Sequence, residues 1–136
     1  MDLLDRARAI AACPLFAELA PAVVIRLAER ARPTPLAAGE RCTTDDDVWV
    51  VADGALAVTA RAEVGARTAH AGHALGLIRV IAAQTPVVEA IAETPSLLLG
   101  LALDDLRDVL EEDPAALAAI AAALARALLA EEAPAP

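Results

Sequence analysis

The sequence predicts a single α+β domain in which antiparallel strands lie between N-terminal and C-terminal helices. Residues 1–33 and 103–130 carry apolar side chains at helical spacing, and residues 34–102 carry short apolar runs between glycine-containing turns. The length of 136 residues is enough to bury one core without disulfides or metal. Because helices and strands occupy separate stretches, an α+β arrangement over residues 1–136 is favoured.

Two helices are predicted in the N-terminal segment. Residues 2–12 place leucine, alanine and isoleucine side chains on one face, and Pro14 follows the end of that helix. The second helix carries Pro21 in its first turn, where a missing backbone N–H costs little, and Pro33 stops it. Each helix therefore offers one apolar face to the rest of the domain.

The strands are predicted from three apolar runs, VWVVA, ALAVTA and SLLLGLA, which are separated by turns. Asp53-Gly54 lies between the first two runs, and Asp-Gly is a strong signal for a two-residue hairpin turn. The strands on either side of Gly54 are therefore predicted to form a hairpin.

The C-terminal segment is predicted to return to helix over residues 103–130, followed by a disordered tail at residues 131–136. Asp104 can cap the first of these helices, and Asp113 can cap a second, alanine-rich one. An apolar stripe on the alanine-rich helix either packs on the strands or forms a homodimer or partner surface. The stripe consists of Leu117, Ile120, Ala121, Leu124 and Leu128.

Composition excludes several classes of partner. The net charge is −9 and all eleven basic residues are arginines, so we expect no binding to nucleic acid or to an anionic membrane. The longest apolar run is shorter than the roughly 20 residues that a membrane span needs, and it contains Arg126. Cys13 and Cys42 are isolated thiols and no signal peptide is visible, which favours a reduced, cytoplasmic chain.

The stretch CPLFAELAPAVVIRLAERARPTPLAAGE, followed by VWVVADGALAV and later by LDDLRDVLEEDP, resembles the cyclic nucleotide-binding domain family. That family includes bacterial catabolite activator proteins and the regulatory subunits of cyclic-AMP-dependent kinase. The resemblance spans roughly residues 3–130. It implies a short antiparallel jelly-roll β-barrel flanked by helices, with eight strands in ordinary members of the family.

The resemblance also implies a phosphate-binding cassette, which falls on residues 72–90. In the family a glutamate accepts a hydrogen bond from the ribose and an arginine neutralises the cyclic phosphate. Leu77 and Gln84 stand at those two positions here, and Pro86 removes a backbone donor. Losing one partner of a buried charge pair costs about 2–5 kcal/mol, so ordinary cyclic AMP or cyclic GMP binding is not expected and no cofactor is predicted.

Two hypotheses about function remain open. The first is a degenerate, stand-alone regulatory or interaction module that works through the C-terminal helix or through an apolar remnant pocket near Leu75, Leu77 and Ile81. The alternative is a small-ligand or cyclic nucleotide sensor that places Arg79 and Thr85 at the phosphate. The candidate ligand-binding positions are Gly76, Leu77, Arg79, Gln84 and Thr85.

Two stretches are shorter than the family pattern. The spacing between Gly39 and Gly54 is reduced, and residues 63–73 lack the full strand that commonly precedes the cassette. A shortened barrel is therefore expected, and the number of strands stays open.

Rival chemistries find little support in the sequence. The run of three aspartates at 45–47 lacks the spacing of a calcium loop, so a solvated turn is favoured. His70 and His73 with Cys42 could be sketched as zinc ligands, but no second clustered pair supports a metal site. Ser96 is the only serine, and the chain has no lysine and no tyrosine, so we expect no enzyme.

Overall fold

A computed structural model describes residues 1–60, 67–82 and 87–132 of the chain. The helices in this part are α1 (Leu3–Ala11), α2 (Pro21–Arg30), α3 (Leu103–Glu111) and α4 (Pro114–Glu132), with two 3₁₀ helices at Pro14–Phe16 and Leu77–Val80. The strands are β1 (Arg32–Leu36), β2 (Arg41–Thr43), β3 (Asp47–Asp53), β4 (Ala55–Ala60), β5 (Arg67–His70), β6 (Ala74–Leu75), β7 (Val88–Ala92) and β8 (Ser96–Ala102).

The eight described strands form two antiparallel sheets of four strands each. The order is β1-β8-β3-β6 in one, called the helix-side sheet below, and β2-β7-β4-β5 in the other, called the outer sheet. The predicted α+β class, with strands between N-terminal and C-terminal helices, is confirmed. The predicted barrel is corrected to two open sheets, since no closed barrel forms among the described strands.

The central strands of the helix-side sheet, β3 and β8, are buried on both of their faces. Val48, Val50 and Leu99 contribute to the core cluster beneath the helices, whereas Val51 and Leu98 contribute to a second cluster between the two sheets. Successive side chains of a strand point to opposite faces, so a doubly covered strand reads as a continuous apolar run. This packing explains why VWVV and SLLLGLA show no alternation with polar residues.

The N-terminal helices follow the prediction closely. Asp2 caps α1, because its side chain accepts a hydrogen bond from the Asp5 backbone N–H at 2.8 Å. Pro21 occupies the first turn of α2 as predicted. The predicted boundary between helices and strands at residue 33 shifts slightly, since β1 already begins at Arg32.

The C-terminal helices need two corrections. Asp104 is not the cap of α3, whose N-cap is Ala102 and has no side-chain hydrogen bond. Asp113 does cap α4, since its Oδ1 accepts a hydrogen bond from the Ala116 backbone N–H at 3.1 Å. Helix α4 runs to Glu132, so residues 131 and 132 are helical and not part of a tail. The rest of the predicted tail lies outside the described residues.

The hairpin predicted at Gly54 is wrong. Strand β3 pairs with β6 and β8, whereas β4 pairs with β5 and β7, so Gly54 carries the chain from one sheet to the other. A type I′ turn needs positive φ at two successive residues, and among the described residues only glycines have positive φ. Gly54 itself has a φ of 106° and packs against Ser96, where an added Cβ would lie 2.1 Å from Oγ.

The shortening expected near the cassette affects strand length. Strand β5 has four residues, β6 has two and β2 has three. All eight strands are nevertheless present in the described part of the chain. The two sheets therefore keep their number of strands while their edges beside the cassette become short.

Replacing Gly54 should test this crossing. We expect Gly39→Ala to cost about 1–2 kcal/mol of unfolding free energy, because alanine is strained at its φ of 89° while nothing lies within 4 Å of the new Cβ. Gly54→Ala should cost about 1–3 kcal/mol more, because the added Cβ also overlaps Ser96. Urea denaturation of both variants measures the difference. Equal losses of unfolding free energy would contradict the close contact between Gly54 and Ser96.

Candidate functional site

The cassette region, residues 72–90, contains a sharp turn at Gly76. This glycine has a φ of 85° and precedes the 3₁₀ helix Leu77–Val80, called the cassette helix below. A Cβ at this position would lie 2.8 Å from both Cβ and Cγ2 of Thr44, so only glycine allows this approach. The turn therefore packs directly against Thr44, the first residue of the β2–β3 loop.

Thr44 is a residue that the sequence analysis missed. It is 2% exposed, and all three of its polar groups have partners. Its N–H donates to the Val88 carbonyl at 3.0 Å, and its Oγ1 accepts from the Val88 N–H at 2.9 Å. Its carbonyl accepts from the Arg79 guanidinium. No local signal in the sequence marks Thr44, because its partners are distant along the chain.

Arg79 binds the chain's own backbone. Its guanidinium donates from Nη1 to the Thr44 carbonyl and to the Asp45 carbonyl, the latter at 2.7 Å. Its own carbonyl accepts a hydrogen bond from Arg107 Nη2 at 3.1 Å. Its Nε is buried without a hydrogen-bond partner in the described part of the chain. The cation of the cassette helix is thus directed at the β2–β3 loop.

Leu77 is part of the apolar core. It is 2% exposed and belongs to the cluster between the helices and the helix-side sheet, together with Leu99 and Leu101. A carboxylate at this depth would lose its hydration, and the Arg79 guanidinium on the same turn is already bound to the Thr44 and Asp45 carbonyls. The Leu77 side chain therefore contributes packing.

The structure brings three of the five candidate ligand-binding residues onto one turn, namely Gly76, Leu77 and Arg79. Gln84 and Thr85 lie outside the described residues, so their assignment stays a prediction.

A cleft of about 370 Å³ lies beside the short edges of the two sheets. Of the three residues predicted to form a remnant pocket, only Leu75 lines this cleft, while Leu77 is in the core and Ile81 is 47% exposed. The location of the predicted pocket is corrected accordingly. The described lining residues are Cys13, Pro14, Leu15, Val58, Thr68, Ala69, Gly72, His73, Ala74, Leu75 and Ala127.

His73 lines the cleft in a defined tautomer. Its Nδ1 accepts a hydrogen bond from the His70 backbone N–H at 3.0 Å, so the ring hydrogen of the neutral form must sit on Nε2. Binding a metal through Nε2 would require that hydrogen to move to Nδ1, which would break the bond to His70. This arrangement disfavours His73 as a zinc ligand.

The two cysteines are free and buried. Burial raises the pKa of Cys13, which lines the cleft, and raises that of Cys42 to about 11. Both thiols therefore stay protonated near neutral pH, where a thiol is a poor nucleophile and a poor metal ligand.

Cys42, His70 and His73, which were considered as zinc ligands, do not come together in the structure. Cys42 is on β2 and His70 is on β5, at opposite edges of the outer sheet, which three strand spacings separate by about 14 Å. No group of three or more histidine, cysteine or acidic residues in the described ranges could hold a metal ion.

The aspartate run and the serine have structural contacts. Asp45 and Asp46 are exposed on the β2–β3 loop, and the Asp46 carbonyl accepts from the Leu103 N–H at 2.9 Å. Asp47 lies in β3 and pairs with Arg32. Ser96 is 6% exposed and its hydroxyl donates to the Thr94 carbonyl at 2.8 Å.

The predicted stripe on α4 is divided between core and solvent. Ile120 is fully buried, whereas Leu117 is 38% and Leu128 is 47% exposed. Ala121 and Leu124 are half-buried. Helix α4 packs against the 3₁₀ helix Pro14–Phe16 and against α3, so its outer side remains exposed together with Leu129.

None of the helices within the described ranges is long and apolar enough to cross a membrane.

Comparisons with known proteins identify the fold. The sensor domain of the transcriptional regulator DNR from Pseudomonas aeruginosa superposes with a TM-score of 0.71 at 15% identity, over 89% of this chain and 87% of that one. The N-terminal domain of a Streptomyces coelicolor transcriptional regulator gives 0.68 at 22% identity, over 91% and 92% of the two chains. A cyclic nucleotide-binding-like protein from Brucella abortus gives 0.62 at 23% identity, over 79% and 98%.

No family model matches the sequence, and no curated protein matches it. The chain has the fold of cyclic nucleotide-binding-like domains, and the resemblance seen in the sequence is confirmed at the level of fold.

Removing the Arg79 contacts should destabilise the domain. We expect Arg79→Ala to lower the unfolding free energy by about 1–3 kcal/mol, because two backbone carbonyls lose a charged donor. Arg126→Ala is the matched control: it removes a 3.1 Å ion pair with Glu18 whose side chains are 57% and 59% exposed, and should cost less than about 1 kcal/mol. Chemical denaturation compares the two, and a loss no larger for Arg79 would contradict its anchoring role.

Proposed function

We propose that the chain is a degenerate cyclic nucleotide-binding-like regulatory or interaction module that does not bind cyclic AMP or cyclic GMP in the ordinary way. The observation that carries the proposal is the state of the cassette helix. Its arginine, Arg79, donates to the chain's own Thr44 and Asp45 carbonyls, and Leu77 is buried in the core.

An anion at this turn would have to compete for the Arg79 guanidinium. Nη1 would need to leave two backbone carbonyls, and those carbonyls would then lack their donor. The net charge of −9 adds a repulsive field for any phosphate. Both effects lower the affinity for a cyclic nucleotide.

The neighbouring structures support a regulatory role. Two of them are domains of transcriptional regulators, one of which is a sensor domain, and the third is cyclic nucleotide-binding-like. A non-enzymatic module fits these neighbours. The two free, buried cysteines suit a reducing, cytoplasmic environment.

The outer side of α4 is the interaction surface in this proposal. Leu117, Leu128 and Leu129 are exposed there to 38%, 47% and 66%, and most residues between Leu117 and Leu128 are alanines. Exposed leucines among small residues allow a second helix to approach closely. A second copy of the chain or another protein would cover this side.

A small-ligand sensor is the second candidate. The observation that favours it is the cleft of about 370 Å³, which touches β4, β5, β6 and α4 together. A ligand there would contact both the sheets and the interaction helix.

Titration with cyclic nucleotides tests the proposal. Since a ligand at one hundred times its dissociation constant stabilises by about 2.7 kcal/mol, binding would raise the melting temperature by several degrees. We expect no shift with millimolar cyclic AMP or cyclic GMP. A saturable shift that disappears in Arg79→Ala but persists in Arg126→Ala would overturn the proposal and favour a nucleotide sensor.

Self-association through α4 is tested by sedimentation equilibrium. We expect a concentration-dependent dimer that Leu129→Glu dissociates, because the charge would be buried in the interface. Leu4→Glu is the control. Leu4 is 54% exposed on α1, so this substitution adds the same charge on a different helix. A wild-type chain that stays monomeric at millimolar concentration, or equal effects of the two variants, would count against a homodimer.

A further inference from the structure

The cleft between β5, β6 and α4 differs in chemistry from a nucleotide site. Its described lining contains no arginine, lysine or acidic side chain. Leu15, Val58 and Leu75 supply aliphatic surface, and Cys13 is a buried, protonated thiol. A charged ligand would lose hydration there without meeting an opposite charge.

Thr68 and His73 carry hydrogen-bond donors in the described lining, and the position of the donor is fixed for the His73 ring. His73 accepts the His70 N–H at Nδ1, so its neutral ring carries the hydrogen on Nε2. Within the described residues no partner engages Nε2. The side chain can therefore donate to an acceptor atom of a ligand without disturbing the loop that holds it.

The size of the cleft limits the ligand. A volume of about 370 Å³ is at the small end of the range for ligand pockets, so it suits a molecule of one or two rings and not a polypeptide segment. The sites of apolar ligands are commonly concave and apolar with few polar groups that fix orientation.

We propose that this cleft binds an uncharged, largely apolar small molecule whose hydrogen-bond acceptor, such as a carbonyl oxygen, is recognised by Nε2–H of His73. The proposal goes beyond the module proposed above, which requires only that ordinary cyclic nucleotide binding is absent. The ligand would touch Ala127 of α4, Ala69 of β5 and Leu15 of the 3₁₀ helix Pro14–Phe16.

Three matched probes test the ligand class. Acetophenone is uncharged and carries a carbonyl acceptor, ethylbenzene has the same size without an acceptor, and benzoate is an anion. We expect two-dimensional amide NMR of the full chain to show saturable shifts of Cys13, Ala69 and Leu75 with acetophenone. Ethylbenzene should bind at the same residues about two- to ten-fold more weakly, because it lacks one neutral hydrogen bond. Benzoate should cause no saturable shift.

Three substitutions locate the site. His73→Asn keeps a side-chain acceptor near the His70 N–H but lacks the Nε2 donor, so it should weaken acetophenone about two- to ten-fold and leave ethylbenzene unchanged. Ala127→Leu should fill the cleft and abolish binding of both. Ala125→Leu, at an exposed alanine of the same helix outside the lining, is the control and should leave binding intact.

Several results would overturn the proposal. They are the absence of shifts with acetophenone at millimolar concentration, equal binding of all three probes, equal effects of the two alanine variants, or shifts confined to other parts of the fold. The cyclic nucleotide titration remains a separate test. Nucleotide binding that depends on Arg79 would refute the proposed module without affecting the acetophenone result. Absence of acetophenone binding would refute the cleft proposal without affecting the proposed module.

Discussion

The hydrogen bonds from Arg79 to the carbonyls of Thr44 and Asp45 are the interaction on which the arrangement around the cassette depends. They join the cassette helix to the β2–β3 loop, and the two Thr44–Val88 hydrogen bonds join that loop to the start of β7. Gly76 makes this possible, because any side chain at that position would collide with Thr44. The Arg79 guanidinium, which could otherwise bind a phosphate, is held by backbone carbonyls of the same chain.

The two-sided burial of the helix-side sheet determines where a ligand can enter. The helices cover one face of its central strands β3 and β8 and the outer sheet covers the other, so neither face of these two strands is accessible. A cleft opens at the edges, where β5 and β6 are short and α4 passes nearby at Ala127. The shortened strands beside the cassette thus leave an opening at the sheet edges, and the side chains around it are mostly uncharged.

The sequence predicted the features that depend on local spacing. The helices and the cap at Asp113 follow from residues close together in the chain, and the loss of charge at Leu77 is visible from a single position. Strand pairing could not be read in this way. The Asp53-Gly54 signal suggested a hairpin, but of these two residues only Gly54 has positive φ. The close contact with Ser96 that shapes the crossing involves a residue 42 positions away. The hydrogen-bond partners of Arg79 and of Thr44 are likewise distant from them in the sequence, so local spacing could not predict them.

The charge distribution connects the closed cassette with the neutral cleft. In a chain of net charge −9, a free arginine on the cassette helix would attract a phosphate, but Arg79 is bound to backbone carbonyls. Burying Leu77 adds apolar packing beneath the same turn. The described lining of the cleft offers uncharged surface and the Nε2–H of His73. Binding at such a site would rest on apolar contact and one hydrogen bond, so it would vary little with salt, in contrast to a site that neutralises phosphate.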